Sequence, residues 1–184
     1  MKYKILALFG PSGAGKDTIQ KWYAEHSADI NEIVSATTRP PREYEQDTVD
    51  YYFLTDEEFT DKVLNGEMLE ATSFREWYYG TPIESLKENK INIGVFNIEG
   101  ITMLLQDERI QILPVLVQAN DKTRVKRCLD REKNPDVYEI CRRFIKDTED
   151  FKSIPFAYEV FNNDNNDDLN VTNLLDLLDE IQED

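Results

Sequence analysis

The sequence predicts an α/β domain of three layers around a parallel sheet, and three observations carry that prediction. Apolar runs with little alternation recur at Tyr3–Phe9, Ile91–Ile98 and Ile110–Val117, with a shorter one at Ala157–Phe161. Strands covered on both faces read this way. Helix-like segments at Asp17–Ser27, Asp121–Asp130, Asp136–Phe151 and Val171–Ile181 alternate with them, as crossovers between parallel strands do. A glycine-rich loop joins the first strand to the first helix. The chain of 184 residues is long enough for one well-buried core with a small inserted lobe.

That loop is Gly10-Pro11-Ser12-Gly13-Ala14-Gly15-Lys16-Asp17-Thr18, following the apolar run Ile5–Phe9. Its order of strand, glycine loop and helix is that of a P-loop, G-x-x-x-x-G-K. Small residues let backbone N–H groups turn inward around phosphate oxygens, and the positive helix end adds to the attraction. The alternative is a glycine-rich turn that binds nothing, but the loop sits where the mechanism needs it. Residues 10–18 are therefore expected to hold a nucleoside triphosphate, with Lys16 bridging the β- and γ-phosphates and Thr18 donating to the α-phosphate. Asp17 stands where Ser or Thr normally reaches Mg2+. A carboxylate beside phosphates repels them unless a cation intervenes, so Asp17 implies a metal contact, direct or through water.

Charge and composition narrow the class. A net charge of −16 argues against a nucleic-acid binder, which shows a basic face. The excess is uneven: nine acidic residues and no Lys or Arg follow Lys152, leaving −7 on the first 152 residues. A polyanionic substrate must then be held by a local cluster of basic groups plus magnesium; the acidic tail itself reads as solvated surface. No apolar stretch approaches the ~20 residues that cross a bilayer, and the first strand runs straight into the loop, unlike a signal peptide. Cys128 and Cys141 lack metal-type spacing and read as ordinary buried or half-buried thiols. A cytoplasmic protein is expected, with no membrane or nucleic-acid partner, as monomer or homodimer.

Residues 36–88 break the alternation and read as an inserted lobe rich in aromatics. Thr55-Asp56-Glu57-Glu58 is a capping box opening a helix that Gly66 ends. Thr81-Pro82-Ile83-Glu84 reads as a second box with Pro82 at the first helical position. Arg39 and Arg42 flank Pro40-Pro41, so two guanidiniums held by a stiff turn can chelate a phosphate dianion. Tyr51 and Tyr79 add phenolic donors. Solvated arginines and core tyrosines are the bland alternative.

Here the motifs resemble a known family. Ser35-Ala36-Thr37-Thr38-Arg39-Pro40-Pro41-Arg42, Asp50-Tyr51-Tyr52-Phe53 and Tyr78-Tyr79-Gly80-Thr81 are similar to guanylate kinase in order and spacing. With the loop they cover most of the first 82 residues. The resemblance implies one P-loop domain over 1–184, with core 1–35 and 89–184, a nucleoside-monophosphate lobe at about 36–88 and a helical lid at about 124–143. It implies Mg2+-dependent transfer of the γ-phosphoryl group of ATP to GMP or dGMP. By matching position, Arg39, Arg42, Tyr51 and Tyr79 bind the GMP phosphate and Glu45 supports them, while Ser35, Glu70 and Thr81 face the base. Guanine offers two adjacent N–H donors that one carboxylate accepts together, and its O6 suits a hydroxyl donor. Adenine reverses this edge and leaves a buried polar group unpaired, at about 1–3 kcal/mol.

Arg124, Lys126, Arg127, Arg131, Lys133, Arg142 and Arg143 concentrate positive charge where the family has its lid. Arg127, Arg131 and Arg143 match best, and with Lys16 and Arg39 they are the expected catalytic set. The competing reading is helix-surface charge paired with Asp130, Glu132 and Glu139. The resemblance weakens afterwards: the family's D-x-D before a glycine is here Asn97-Ile98-Glu99-Gly100, one carboxylate fewer and shorter. Asn162, in Phe161-Asn162-Asn163-Asp164, matches the segment beside adenine. His26 reads as a surface residue. Two rival readings stay open. One is a P-loop kinase of another small phosphorylated acceptor such as ribose 1,5-bisphosphate; the other is a non-catalytic module like the kinase-like domains of membrane-associated scaffolds.

Overall fold

The computed structural model describes residues 3–43, 45–74, 76–131, 133–152 and 158–163. Two compact units make up the chain, Met1–Phe9 with Asp17–Pro114, and Gly10–Lys16 with Val115–Asp184.

The first unit begins with β1 (Tyr3–Phe9), whose residues from Ile5 onward are nearly inaccessible. Helix α1 (Lys16–His26) starts at the loop lysine and buries Ile19 and Tyr23. Strand β7 (Ile91–Val95) lies between β1 and β2 (Ile30–Glu32): it pairs in parallel with β1 at Leu6↔Ile93 and with β2 at Ile30↔Ile91. Both faces are covered, which explains the unbroken apolar runs. Asn92, fully buried in β7, is satisfied by bonds to Asn31 and to backbone at Lys4, Lys87 and Lys90. The run Ile91–Ile98 is not one strand. It stops at Val95 because Asn97 is the N-cap of α3 (Ile98–Leu104), its Oδ1 accepting from Gly100 N–H at 2.7 Å.

A second, four-stranded sheet occupies residues 36–82 in the order β4-β3-β6-β5. Its strands are β3 (Ala36–Thr37), β4 (Tyr52–Phe53), β5 (Met68–Phe74) and β6 (Trp77–Pro82). β6 runs antiparallel to β3 and β5. Helix α2 (Asp56–Leu64) packs Phe59 with Ala36 and Met68. The capping box at Thr55 and Glu58 forms as expected, and Gly66, at φ +70°, follows the last turn. The second expected box does not form: Thr81 and Pro82 complete β6, and only a 3-10 turn at Ile83–Ser85 follows, without a side-chain cap. The Thr81 hydroxyl donates to Glu70 instead.

Strand β8 (Ile110–Gln118) begins in the first unit and ends in the second, where its last residues pair in parallel with β9 (Tyr158–Phe161) at Val117↔Val160. Helices α4 (Asp121–Asp130) and α5 (Val137–Asp150) are capped by Asn120 and Asp136. Cys128 is half-buried on α4, whereas Cys141 is exposed on α5, against the expectation of a covered thiol. The predicted helix Val171–Ile181 and the start of the run at Ala157 lie outside the described residues. Among the described residues no helix is long and apolar enough to cross a membrane.

Candidate functional site

In the first unit the site is built at one end of the second sheet. The Thr37 hydroxyl bonds to Tyr78 O and accepts from Arg39 N–H, so the chain leaves β3 in a fixed direction. Arg39 Nη2 donates to both Glu45 oxygens at 2.9 Å, and Glu45 also accepts from Arg42 N–H at 2.8 Å and Arg42 Nη1 at 3.4 Å. One carboxylate thus holds two arginines, and the cluster keeps a net positive charge. Burial alone would raise the Glu45 pKa; the bonds from Arg42 and Arg39 reverse this and hold it below the usual value. Burial likewise works against charge on Arg39, but Glu45 outweighs it and raises that pKa. The Arg39 guanidinium lies 5.6 Å from the Tyr51 ring and 5.8 Å from the Phe53 ring. Tyr51 meets the edge of Tyr79 at 6.4 Å between ring centres. Burial, then the nearby Asp17 carboxylate, raises the Tyr51 pKa, which keeps its phenol a donor.

Glu70, on β5, is a buried carboxylate of this unit. Thr81 Oγ1 on β6 donates to its Oε1 at 2.8 Å. Burial pushes its pKa up to about 7; the Thr81 bond opposes this and the Glu99 charge adds to it. A Cβ on Gly100 would lie 3.1 Å from Glu70 Oε2, so this glycine leaves room for the carboxylate at the start of α3. Asn97 is occupied at both ends, for its Nδ2 donates to Thr72 Oγ1 at 3.0 Å while its Oδ1 caps α3. Ser35 is half-buried just before β3, and its carbonyl accepts from Tyr52 N–H.

In the second unit the glycine loop is embraced by backbone. Lys16 Nζ donates to Gly10 O at 2.8 Å and Pro11 O at 3.1 Å, spanning the loop. A Cβ on Gly10, at φ +142°, would strike Val117 O at 2.2 Å, and one on Gly13, at φ +77°, would strike Arg124 O at 2.6 Å. Only glycine fits there. Pro11 and Ala14 are buried, and Ala14 N–H bonds back to Pro11 O at 3.2 Å. Arg127 Nη1 lies on Gly13 O, Ala14 O and Asn162 O, at 3.4, 3.3 and 3.0 Å. Asn162 Nδ2 donates to Ala14 O at 3.0 Å, so its amide is tied to the loop.

Of the three arginines matched to the lid, the structure brings only Arg127 onto the loop. Arg131 is exposed at the C-cap of α4. Arg143 and Arg142 both bond to Glu139, which is the helix-surface pairing of the competing reading. Asp17 and Thr18 are exposed in the first turn of α1. Thr72 and Asp147 carry no local signal in the sequence, and Arg124 stands out there only as part of a charge cluster. Arg124 is buried, with its partners Ser12 and Asp147 distant in sequence.

Comparison with known proteins adds the family. The family model described as guanylate kinase matches residues 2–180. The chain belongs to the guanylate kinase family. A guanylate kinase of Malacoplasma penetrans is 37% identical over 158 residues, covering 80% of this chain and 71% of that protein. A guanylate kinase of Prochlorococcus marinus is 43% identical over 91 residues, covering 50% of this chain and 49% of its own length. The chain therefore spans about half the length of several of the guanylate kinases it matches. A crystal structure of guanylate kinase from Anaplasma phagocytophilum superposes with a TM-score of 0.68 at 23% identity, covering 100% of this chain and 89% of that one. It shares the P-loop kinase fold, an α/β core with a parallel sheet.

Proposed function

We propose that the chain is a guanylate kinase that moves the γ-phosphoryl group of ATP to GMP or dGMP, giving ADP and GDP or dGDP. The observation that carries this reading is Glu70: a buried carboxylate beside the Thr81 hydroxyl, in the unit that also holds Arg39, Arg42 and Glu45. A buried acid with a pKa of about 7 and, among the described residues, no cation bonded to it suits a ligand that brings its own donors. Guanine brings two, N1–H and N2–H, and these take the place of the Thr81 proton on Glu70, which frees the Thr81 hydroxyl to donate to O6.

Arg39 and Arg42 bind the acceptor phosphate, held in place beforehand by Glu45, so little side-chain freedom is lost on binding. Tyr51 and Tyr79 donate to the same oxygens. The glycine loop and Lys16 hold the triphosphate, and Arg127 stands over the loop to meet charge that develops on the migrating group. Arg131 and Arg143 join that set on closure, Arg143 by leaving Glu139.

Magnesium is part of the proposal. Among the described residues no three His, Cys, Asp or Glu converge as a metal cage, and this ion does not need one, since it keeps waters and phosphate oxygens with one or two carboxylates. Asp17, an exposed hard oxygen donor in the first turn of α1, fits. When bound, Mg2+ neutralises charge on the phosphates. Asn97 does not replace a missing carboxylate, because both ends of its amide are engaged.

A coupled assay over GMP, dGMP, AMP, CMP, UMP and ribose 1,5-bisphosphate tests the reading. GMP or dGMP is the expected best acceptor. Equal turnover of a pyrimidine nucleotide, preference for the sugar bisphosphate, or ATP binding without any turnover would each overturn it.

A further inference from the structure

We infer that Arg124 and Asp147 are positioning residues that clamp the outer side of the phosphate loop and thereby set its affinity for ATP. The inference rests on the proposed role of that loop in holding the triphosphate. Three hydrogen bonds within the second unit carry it, supported by the packing of the pair. Ser12 N–H donates to Asp147 Oδ2 at 2.8 Å. Arg124 Nη2 donates to the same Oδ2 at 2.8 Å, and Arg124 Nε donates to Ser12 O at 3.0 Å. Both polar groups of the Ser12 backbone are therefore answered by one ion pair. The guanidinium also stacks over Phe144 at 4.3 Å and reaches Asp121 with Nη1 at 2.9 Å. The Arg124 side chain is only 8% exposed and that of Asp147 14%.

Geometry gives this pair a purpose beyond stability. With the Ser12 N–H and C=O both turned to α4 and α5, the peptide groups on either side of Ser12 cannot rotate. The next residue, Gly13, takes φ +77° against the α4 backbone. The loop therefore enters its turn in one direction before any ligand arrives. A phosphate cradle made of backbone amides depends on such preset directions, because an unpinned loop must be ordered at the expense of binding. A planar fork suits the task, since one guanidinium serves carboxylate and carbonyl together. Lysine, a point charge, could not.

The test separates positioning from support of the fold. Asp147→Asn, Asp147→Ala and the double variant Arg124→Met/Asp147→Leu are compared with wild type by calorimetric titration with ATP, steady-state kinetics and thermal unfolding. Breaking one partner strands a buried charge and lowers Tm, whereas replacing both by apolar groups restores stability. The expected result is an ATP Kd raised about tenfold in Asp147→Ala and still raised in the double variant although its Tm recovers. The KM for GMP should stay within about twofold throughout. Recovery of ATP affinity together with Tm in the double variant would overturn the inference, as would equal shifts in KM for ATP and GMP. Failure of the wild-type chain to bind ATP at all would overturn the functional reading and this inference together; normal ATP binding by all variants would overturn this inference alone.

Discussion

In each unit one carboxylate serves two arginines: Glu45 holds Arg39 and Arg42 in the first, Glu139 holds Arg142 and Arg143 in the second. The units differ in their other buried acids. Asp147, in the second, accepts from Arg124 and from a backbone N–H. Glu70, in the first, has a hydroxyl for a partner, and the charge acting on it is another carboxylate, Glu99. The acid beside the glycine loop is thus paired with a cation, while among the described residues the unit proposed to receive the acceptor carries a buried acid that a hydroxyl alone answers. Burial of an acid without a cation costs stability, and such a cost is retained where a ligand relieves it. The proposed function assigns base selection to Glu70 and leaves the loop unit to phosphates, which every nucleotide shares.

Replacing Glu70 sharpens that contrast most. Glu70→Gln is expected to lower kcat/KM for GMP about a hundredfold, since it sets an amide donor against a guanine donor, with KM for ATP little changed. Steady-state kinetics with each substrate varied checks it; a parallel loss toward ATP would break the division of labour.

The same substitution is expected to stabilise the free protein. The folded-state pKa of Glu70 is about 7 and the ordinary value 4.5. Between these values the folded chain keeps a proton that the unfolded chain has released. Stability therefore falls as pH rises from about 4.5 to about 7, by about 3 kcal/mol in all, and stays lowered above that. Glu70→Gln should recover up to about that amount at pH 8 and nothing at pH 4. Urea unfolding at the two pH values measures it, and an equal effect at both would contradict the burial argument.

Affinity for GMP should follow the same group with the opposite sense. Guanine's donors need the ionised carboxylate, so the Kd for GMP should rise about tenfold per pH unit as pH falls below 7, above any contribution of the ligand phosphate. Glu70→Gln should lose that dependence. The smallest effect is at Asn97. Asn97→Ala removes the α3 cap and the bond to Thr72 and should cost about 1 kcal/mol of stability, read from the urea midpoint.

Where sequence reasoning succeeded, the signal was local. The glycine loop, the Thr55 box and helices α4 and α5 are all set by residues a few positions apart. It failed where a side chain serves a distant partner. Thr81 has the spacing of a helix cap, but its hydroxyl belongs to Glu70 across two strands. Asn97 interrupts an apolar run that otherwise reads as one strand, because capping α3 outweighs continuing β7. Arg124 looked like one more basic residue of a cluster, since its partners Ser12 and Asp147 lie 112 and 23 residues away. Arg143 has family spacing yet rests on Glu139, a choice that spacing alone does not decide.

The most direct test of base selection by Glu70 is proton release on GMP binding at pH 7, measured by calorimetry in buffers of different ionisation enthalpy. With Glu70 half-protonated beforehand, wild type should release about half a proton more than Glu70→Gln. Equal release by the two proteins would contradict an ionised Glu70 reading the guanine edge.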